Sequence, residues 1–115
     1  MKKAYYLAKC STCQRILKEV NWSGELQEIR TDKITSAQLD QMAGISGSYE
    51  SLFSRRSMKY KSLGLKDKTL SENDFKQLIL EEDTFLKRPV FIIKREIFIG
   101  NSKQTIEEIK KSLDE

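Results

Sequence analysis

Histidine is absent from this sequence of 115 residues. Its absence excludes an imidazole base, proton shuttle or metal ligand, and with it every scheme in which a histidine activates a serine or a cysteine. The sequence has only two cysteines, so a tetrahedral zinc site would need further ligands from carboxylates or from another chain. We therefore expect no bound metal.

Long apolar runs are missing as well. The apolar stretches are far shorter than the roughly 20 residues that cross a bilayer, and no charged-then-apolar leader precedes the first predicted strand. We therefore expect a cytoplasmic protein that does not contact membranes. The length predicts a single domain, residues 1–115, that is large enough to bury a hydrophobic core.

The charge is moderately basic, with a formal net charge of +4. The excess positive charge lies in two clusters, Arg55, Arg56, Lys59 and Lys61, and Lys87, Arg88, Lys94 and Arg95. Such clusters bind an anion, a nucleic acid or an acidic protein surface, or they are simply solvated faces. Because neither cluster lies on a recognisable recognition helix, we expect no direct binding to nucleic acid.

Two thiols stand at the predicted junction of a strand and a helix. Cys10-Ser11-Thr12-Cys13 follows the apolar run 4–8 and precedes a helical pattern. The start of a helix carries partial positive charge and unpaired N–H groups, which stabilise a thiolate, so one cysteine can attack and the other can resolve. A disulfide between them would close almost no loop and add little stability, which disfavours a purely structural bond. The alternative is a pair of small core residues, since cysteine is commonly buried.

Apolar periodicity and capping residues predict the remaining elements. They are strands at 3–8, 25–30, 90–93 and 96–99, a first helix at 12–21, a helix capped by Thr35 or Ser36, a short helix at 48–53, a helix capped by Ser71 that bears Phe75 to Phe85, and a final helix that bears Ile106 to Leu113.

This order predicts an α/β fold with one four-stranded mixed sheet. A short β-α-β unit makes the first two strands parallel, and the late hairpin, which turns at Lys94-Arg95, supplies antiparallel partners. Helices flank the sheet. The helical residues from about 34 to 83 are predicted as an insertion between the β-α-β half and the β-β-α half.

Pro89 is the only proline, and it stands directly before a predicted strand. A proline at this place starts a strand without further significance, or it forms a cis bond that sets its neighbours beside the thiols. The sequence leaves both interpretations open.

The combination of these motifs resembles the ArsC/Spx family, which contains glutaredoxin-coupled arsenate reductases and Spx transcriptional regulators. The likeness rests on the strings Cys10–Cys13, Leu52–Leu65 and Phe85–Ile93, in this order. It implies a thioredoxin-like fold in which Pro89 is a cis proline near the active thiol. It also implies that Cys10 attacks arsenate, that arginines including Arg88 hold the oxyanion, and that glutathione and glutaredoxin, neither of them a bound cofactor, complete the reduction.

The sequence also departs from the reductases of this family. Ser54 occupies an arginine position of the enzymes, Arg56 matches an Spx arginine instead, and Gly100 or Asn101 replaces a third arginine. The second thiol, Cys13, is typical of Spx. Each lost guanidinium contact costs an oxyanion about 1.5 to 3 kcal/mol of binding, unless Arg55 or Arg56 compensates.

Two hypotheses follow for the function. In the first, the protein is a thiol oxidoreductase in which Cys10 is the nucleophile, Cys13 resolves, and Arg88 and Arg56 lower the thiol pKa and orient an anionic substrate. Its partners would be a small oxyanion or glutathione, with glutaredoxin or thioredoxin. In the second, the same disulfide makes the protein an Spx-like redox-responsive regulator that binds the RNA polymerase α subunit.

Overall fold

The computed structural model describes residues 2–114 of the chain. Within them the strands are β1 (Lys2–Tyr6), β2 (Glu25–Glu28), β3 (Val90–Ile93) and β4 (Glu96–Ile99), and the α-helices are α1 (Ser11–Glu19), α2 (Ser36–Ser46), α3 (Met58–Ser62), α4 (Glu72–Glu81) and α5 (Lys103–Leu113). Short 3-10 helices cover Glu50–Leu52, Leu65–Asp67 and Asp83–Phe85. None of the described helices is long and apolar enough to cross a membrane.

The four strands form one mixed sheet in the order β2-β1-β3-β4. Strand β1 pairs in parallel with β2, and the β1–β3 and β3–β4 pairs are antiparallel. The predicted four-stranded mixed sheet is therefore confirmed. The hairpin turns at Lys94-Arg95 as predicted, with Lys94 at a positive φ of 58°.

The chain divides into two compact units. The first contains the residues up to Lys33 and those from Arg88 onward, and therefore the whole sheet with α1 and α5. Apolar residues of β1, β3 and β4 form its core with the apolar faces of these two helices, and the buried members are Ala4, Ile16, Val20, Phe91, Ile93, Phe98, Ile106 and Ile109. Trp22 closes this core by packing edge-on against Phe91, with ring centroids 5.0 Å apart.

Strand β2 is shorter than predicted, and its one buried side chain is polar. Leu26 is 53% exposed, whereas Gln27 is only 5% exposed. Leu26 is the register partner of Ala4 on a strand that forms the edge of the sheet. The buried amide of Gln27 is satisfied, because its Nε2 donates to the carbonyl of Asp32 at 3.0 Å.

The second unit, residues 34–87, is mainly helical. Helices α2 and α4 begin with capping boxes at Thr35 and Ser71, each a position at which the sequence predicts a cap. The prediction that Phe85 belongs to the helix capped by Ser71 is wrong, since α4 ends at Glu81. Phe85 lies instead in a 3-10 helix, where its ring stacks on Phe53 at 5.0 Å.

Substitution of a core residue of α1 should destabilise the protein far more than substitution of the exposed residue on β2. Ile16 is fully buried, so Ile16→Ala is expected to lower the free energy of unfolding by about 2 to 5 kcal/mol. Leu26→Ala, which removes side-chain carbons from an exposed position, should cost less than about 0.5 kcal/mol. Chemical denaturation of both variants measures the difference, and equal losses would contradict this description of the sheet.

Candidate active site

Cys10 is the N-cap residue of α1, and a tight turn connects it to β1. The turn closes when the backbone N–H of Cys10 donates to the carbonyl of Leu7 at 3.1 Å. Cys10 has extended dihedrals (φ −88°, ψ 107°), and its Sγ accepts a hydrogen bond from the backbone N–H of Cys13 at 3.4 Å. The sulfur therefore occupies the place that a serine or aspartate oxygen takes at most helix starts.

The pKa of the Cys10 thiol is lowered from its usual value. Partial burial opposes ionisation, but hydrogen bonds from the backbone N–H and the thiol of Cys13, the charge of Arg88 and the backbone N–H of Thr12 outweigh it. Cys10 is only partly buried and so accessible from solvent. Both properties are typical of a reactive cysteine.

Cys13 lies one turn into the helix and behaves in the opposite way. It is fully buried, and this burial, opposed by a backbone hydrogen bond from Leu7, is the main reason that its pKa rises to about 12. The hydrogen bond that its thiol donates to Cys10 and the charge of Cys10 raise the pKa further. Cys13 therefore keeps its proton more firmly than Cys10 does, which separates an attacking sulfur from a second sulfur that reacts later.

Arg88 and Pro89 enter the site from the start of β3. The Arg88-Pro89 peptide bond is cis, the geometry that the family resemblance implies. The Arg88 charge favours the thiolate form of both cysteines. Its Nη1 is buried, and no residue among 2–114 accepts a hydrogen bond from it.

The other two predicted anion ligands, Arg55 and Arg56, belong to the second unit. Arg55 is engaged there, because its Nη2 lies 2.8 Å from Glu50 Oε2 and its guanidinium lies over the ring of Phe75. Arg56 is exposed, and its backbone N–H donates to Ser54 Oγ at 3.4 Å. The substrate-binding role of both arginines stays a prediction.

Glu28 is a residue of this site that the sequence reasoning missed. Its Oε2 accepts a hydrogen bond from the backbone N–H of Ala8, in the turn before Cys10, at 2.7 Å. The signal lay in the topology: parallel strands end at the same edge of a sheet, so the last residue of β2 lies beside the turn that follows β1. No group of three or more potential metal-ligand side chains occurs among the residues that the structure describes.

Comparison with known proteins decides the family. The ArsC family model matches residues 5–109, nearly the whole chain. The chain belongs to the ArsC family. It is also 31% identical over 117 aligned residues to the global transcriptional regulator Spx 2 of Bacillus anthracis, covering 95% of this chain and 84% of that protein.

Solved structures show the same fold. An ArsC family related protein from Bacteroides fragilis superposes with a TM-score of 0.78 at 25% identity, covering 94% of this chain and 96% of the other. An arsenate reductase from Vibrio cholerae superposes equally well, with a TM-score of 0.78 at 18% identity and the same coverage of both chains. The ArsC type of thioredoxin-like fold is thereby confirmed, and the family supports a thiol oxidoreductase-like or an Spx-like role.

The two cysteines should differ sharply in reactivity. Iodoacetamide at neutral pH is expected to modify Cys10 first, because its pKa is lowered and it is accessible. The Cys13 thiol should stay unmodified, because burial raises its pKa to about 12. Peptide mapping by mass spectrometry identifies the modified residue. Cys10→Ser, the matched control, should show no fast alkylation until denaturant exposes Cys13. Preferential labelling of Cys13 would contradict the assignment of Cys10 as nucleophile.

Proposed function

We propose that this ArsC family protein is a thiol oxidoreductase in which Cys10 is the nucleophile, Cys13 resolves and Arg88 orients an anionic substrate. The observation that carries the proposal is the position of Cys10 Sγ at the start of α1, where it accepts the Cys13 N–H and has a lowered pKa. A thiolate is the reactive form of cysteine in disulfide exchange.

The first step is attack on a disulfide. The Cys10 thiolate forms a bond to one sulfur of the substrate, the substrate S–S bond breaks, and the second substrate sulfur leaves as a thiolate. Formation of this mixed disulfide removes the negative charge from Cys10. It therefore also removes two of the influences that raise the pKa of Cys13, the charge of Cys10 and the hydrogen bond to it.

Resolution follows from that change. Once Cys13 loses its proton to solvent, its sulfur attacks Cys10 Sγ and the S–S bond of the mixed disulfide breaks. The substrate sulfur that was bonded to Cys10 leaves as a thiolate, and a Cys10–Cys13 disulfide remains. The substrate disulfide has then gained two electrons, and the protein dithiol has lost them. Two molecules of glutathione, or a glutaredoxin or thioredoxin dithiol, restore the reduced protein by the same exchange chemistry.

Arg88 favours a substrate with a single anionic group close to its sulfur. The buried Nη1 of Arg88 has no acceptor in the described part of the chain, and a carboxylate that reached it would form a charge-assisted hydrogen bond. A multiply charged oxyanion needs several such donors, and Arg88 is the cation that acts on the Cys10 thiol. A mixed disulfide of glutathione with another thiol, or a protein disulfide, is thus the proposed substrate class. Arg56 is retained as a second proposed substrate contact.

Turnover in a coupled assay tests the proposal. With glutathione, glutathione reductase and NADPH, and without glutaredoxin, the protein should reduce a mixed disulfide of glutathione, and Cys10→Ser should abolish this activity because it removes the nucleophile. Cys13→Ser, incubated with the substrate in the absence of free glutathione, should instead accumulate the mixed disulfide on Cys10, visible as a mass increase of one glutathione. Full activity in Cys10→Ser would refute the mechanism. Arsenate-dependent NADPH oxidation, measured with glutaredoxin added and no disulfide substrate, would show that the substrate is an oxyanion.

A second candidate function is favoured by one comparison. The relative at 31% identity is a global transcriptional regulator, and the sequence shares the paired cysteines that are typical of Spx. In this role the Cys10–Cys13 pair would report oxidation to a transcription complex without turning over a substrate.

Binding to the RNA polymerase α subunit distinguishes this candidate. A regulator should retain purified α subunit in a pull-down, and treatment with diamide should change the amount retained at least severalfold, because oxidation links Cys10 to Cys13. Cys13→Ala, which cannot form that disulfide, should abolish the response to diamide. Absence of binding in both redox states would exclude this function, and binding that ignores diamide would exclude the redox switch.

A further inference from the structure

We propose that Glu28 is a positioning residue for Cys10, whose carboxylate holds the turn that delivers the nucleophile to the start of α1. Glu28 is the last residue of β2 and pairs with Tyr6, the last residue of β1. Its side chain thus lies beside the turn 7–10, whose Ala8 N–H it accepts at 2.7 Å. The inference rests on the proposed function of Cys10 as the nucleophile.

The two oxygens of the Glu28 carboxylate accept hydrogen bonds from different turns. Oε1 accepts the backbone N–H groups of Arg30 and Thr31 at 2.9 and 2.8 Å and the Thr31 hydroxyl at 3.1 Å. These contacts come from the turn after β2, so they fix the carboxylate on its own strand. Oε2 is directed across to Ala8. The hydrogen bond from Ala8, opposed by slight burial and assisted by those of Thr31 and Arg30, lowers the pKa of Glu28, which keeps the carboxylate charged.

Ala8 is held from both sides. Its N–H donates to Glu28, and its carbonyl accepts a hydrogen bond from Gln14 Nε2 of α1 at 3.2 Å. Ala8 and Lys9 are the central residues of the turn that closes from the Cys10 N–H to the Leu7 carbonyl. Side chains from β2 and α1 therefore fix the exposed peptide groups that lie just before the nucleophile.

The position of Cys10 matters because backbone N–H groups at the start of α1, those of Cys13 and Thr12, stabilise its thiolate. The Cys13 nitrogen lies 3.4 Å from Cys10 Sγ, and such a hydrogen bond weakens when the sulfur moves out of line with the N–H. A turn that loses the Glu28 contact allows Cys10 to move away from the helix start. A substitution at Glu28 replaces none of the groups that lower the Cys10 pKa, which belong to Cys13, Arg88 and Thr12, so it acts on that pKa through the position of the sulfur.

The decisive variant is Glu28→Gln, which has the same shape. The glutamine carbonyl can still accept from the turn after β2, but its NH₂ group then faces the Ala8 N–H, donor against donor. The measurement is the rate of iodoacetamide alkylation of Cys10 as a function of pH. The Cys10 pKa is expected to rise by about half to one unit, which lowers the rate below that pKa about three- to tenfold.

The sign of the shift separates positioning from simple electrostatics. Removal of a negative charge would by itself stabilise the Cys10 thiolate, lowering the pKa and accelerating alkylation. A faster rate or an unchanged pH profile in Glu28→Gln therefore overturns the proposal. A merely structural role would lower the unfolding temperature and leave the pH profile of the folded protein as it was.

Two further variants complete the test. Thr31→Val removes one hydrogen bond to Oε1 and leaves the link to Ala8 intact, so its pH profile should match that of the wild type. Gln14→Ala removes the other contact of Ala8 from an exposed helical position, and it should shift the profile in the same direction as Glu28→Gln but less. If Glu28→Gln does not fold, the alkylation profile of Gln14→Ala serves as the test. An unchanged pH profile in Gln14→Ala then overturns the proposal.

The alkylation profile is independent of turnover. If the wild type reduces no substrate but Glu28→Gln shows the expected shift of the Cys10 pKa, the proposed function is refuted and the role of Glu28 stands. If the wild type reduces glutathione mixed disulfides but Glu28→Gln leaves the alkylation profile unshifted, the proposed function stands and the role of Glu28 is refuted.

Discussion

The hydrogen bond from the Cys13 backbone N–H to Cys10 Sγ, at 3.4 Å, links the fold of this protein to its chemistry. It exists because Cys10 ends a turn and begins a helix at the same time, so its sulfur faces N–H groups that have no partner within the helix. This bond and the burial of Cys13 together make the two thiols unequal. Cys10 gains a donor, while Cys13, on the inner face of α1, is enclosed by the core and keeps its proton.

This asymmetry also defines an order of events for a dithiol. Cys13 cannot compete as the first nucleophile, since burial and the neighbouring Cys10 raise its pKa to about 12. It becomes more acidic only when Cys10 is already bonded to another sulfur. An oxidoreductase and a redox-responsive regulator both need such a sequence, one to finish a reaction and the other to form a disulfide. The dithiol geometry is thus common to both roles.

Local patterns in the sequence predicted much of this structure. The thiols at the start of a helix, the caps at Thr35 and Ser71 and the hairpin at Lys94-Arg95 each depend on residues within a few positions of one another. The end of α4 was not predictable in this way. Phe85 continues the apolar pattern of the helix, but its ring stacks against Phe53, more than 30 residues away in the chain, from a separate 3-10 helix. The burial of Gln27 was not predictable locally either, because a polar amide is buried only where the fold supplies a partner such as the Asp32 carbonyl.

The sequence alone determined which groups are available for chemistry: two thiols three residues apart, a lone proline preceded by an arginine, and no imidazole. The tertiary structure decided what those groups do. Only the parallel pairing of β1 and β2 brings the Glu28 carboxylate to the turn before Cys10, a contact across 20 residues. Only in the folded protein is Arg88 Nη1 buried with no acceptor among residues 2–114. The physical reason is that helix starts and apolar periods are short-range properties of the chain, whereas the partner of a carboxylate or guanidinium depends on which distant segments the sheet places side by side.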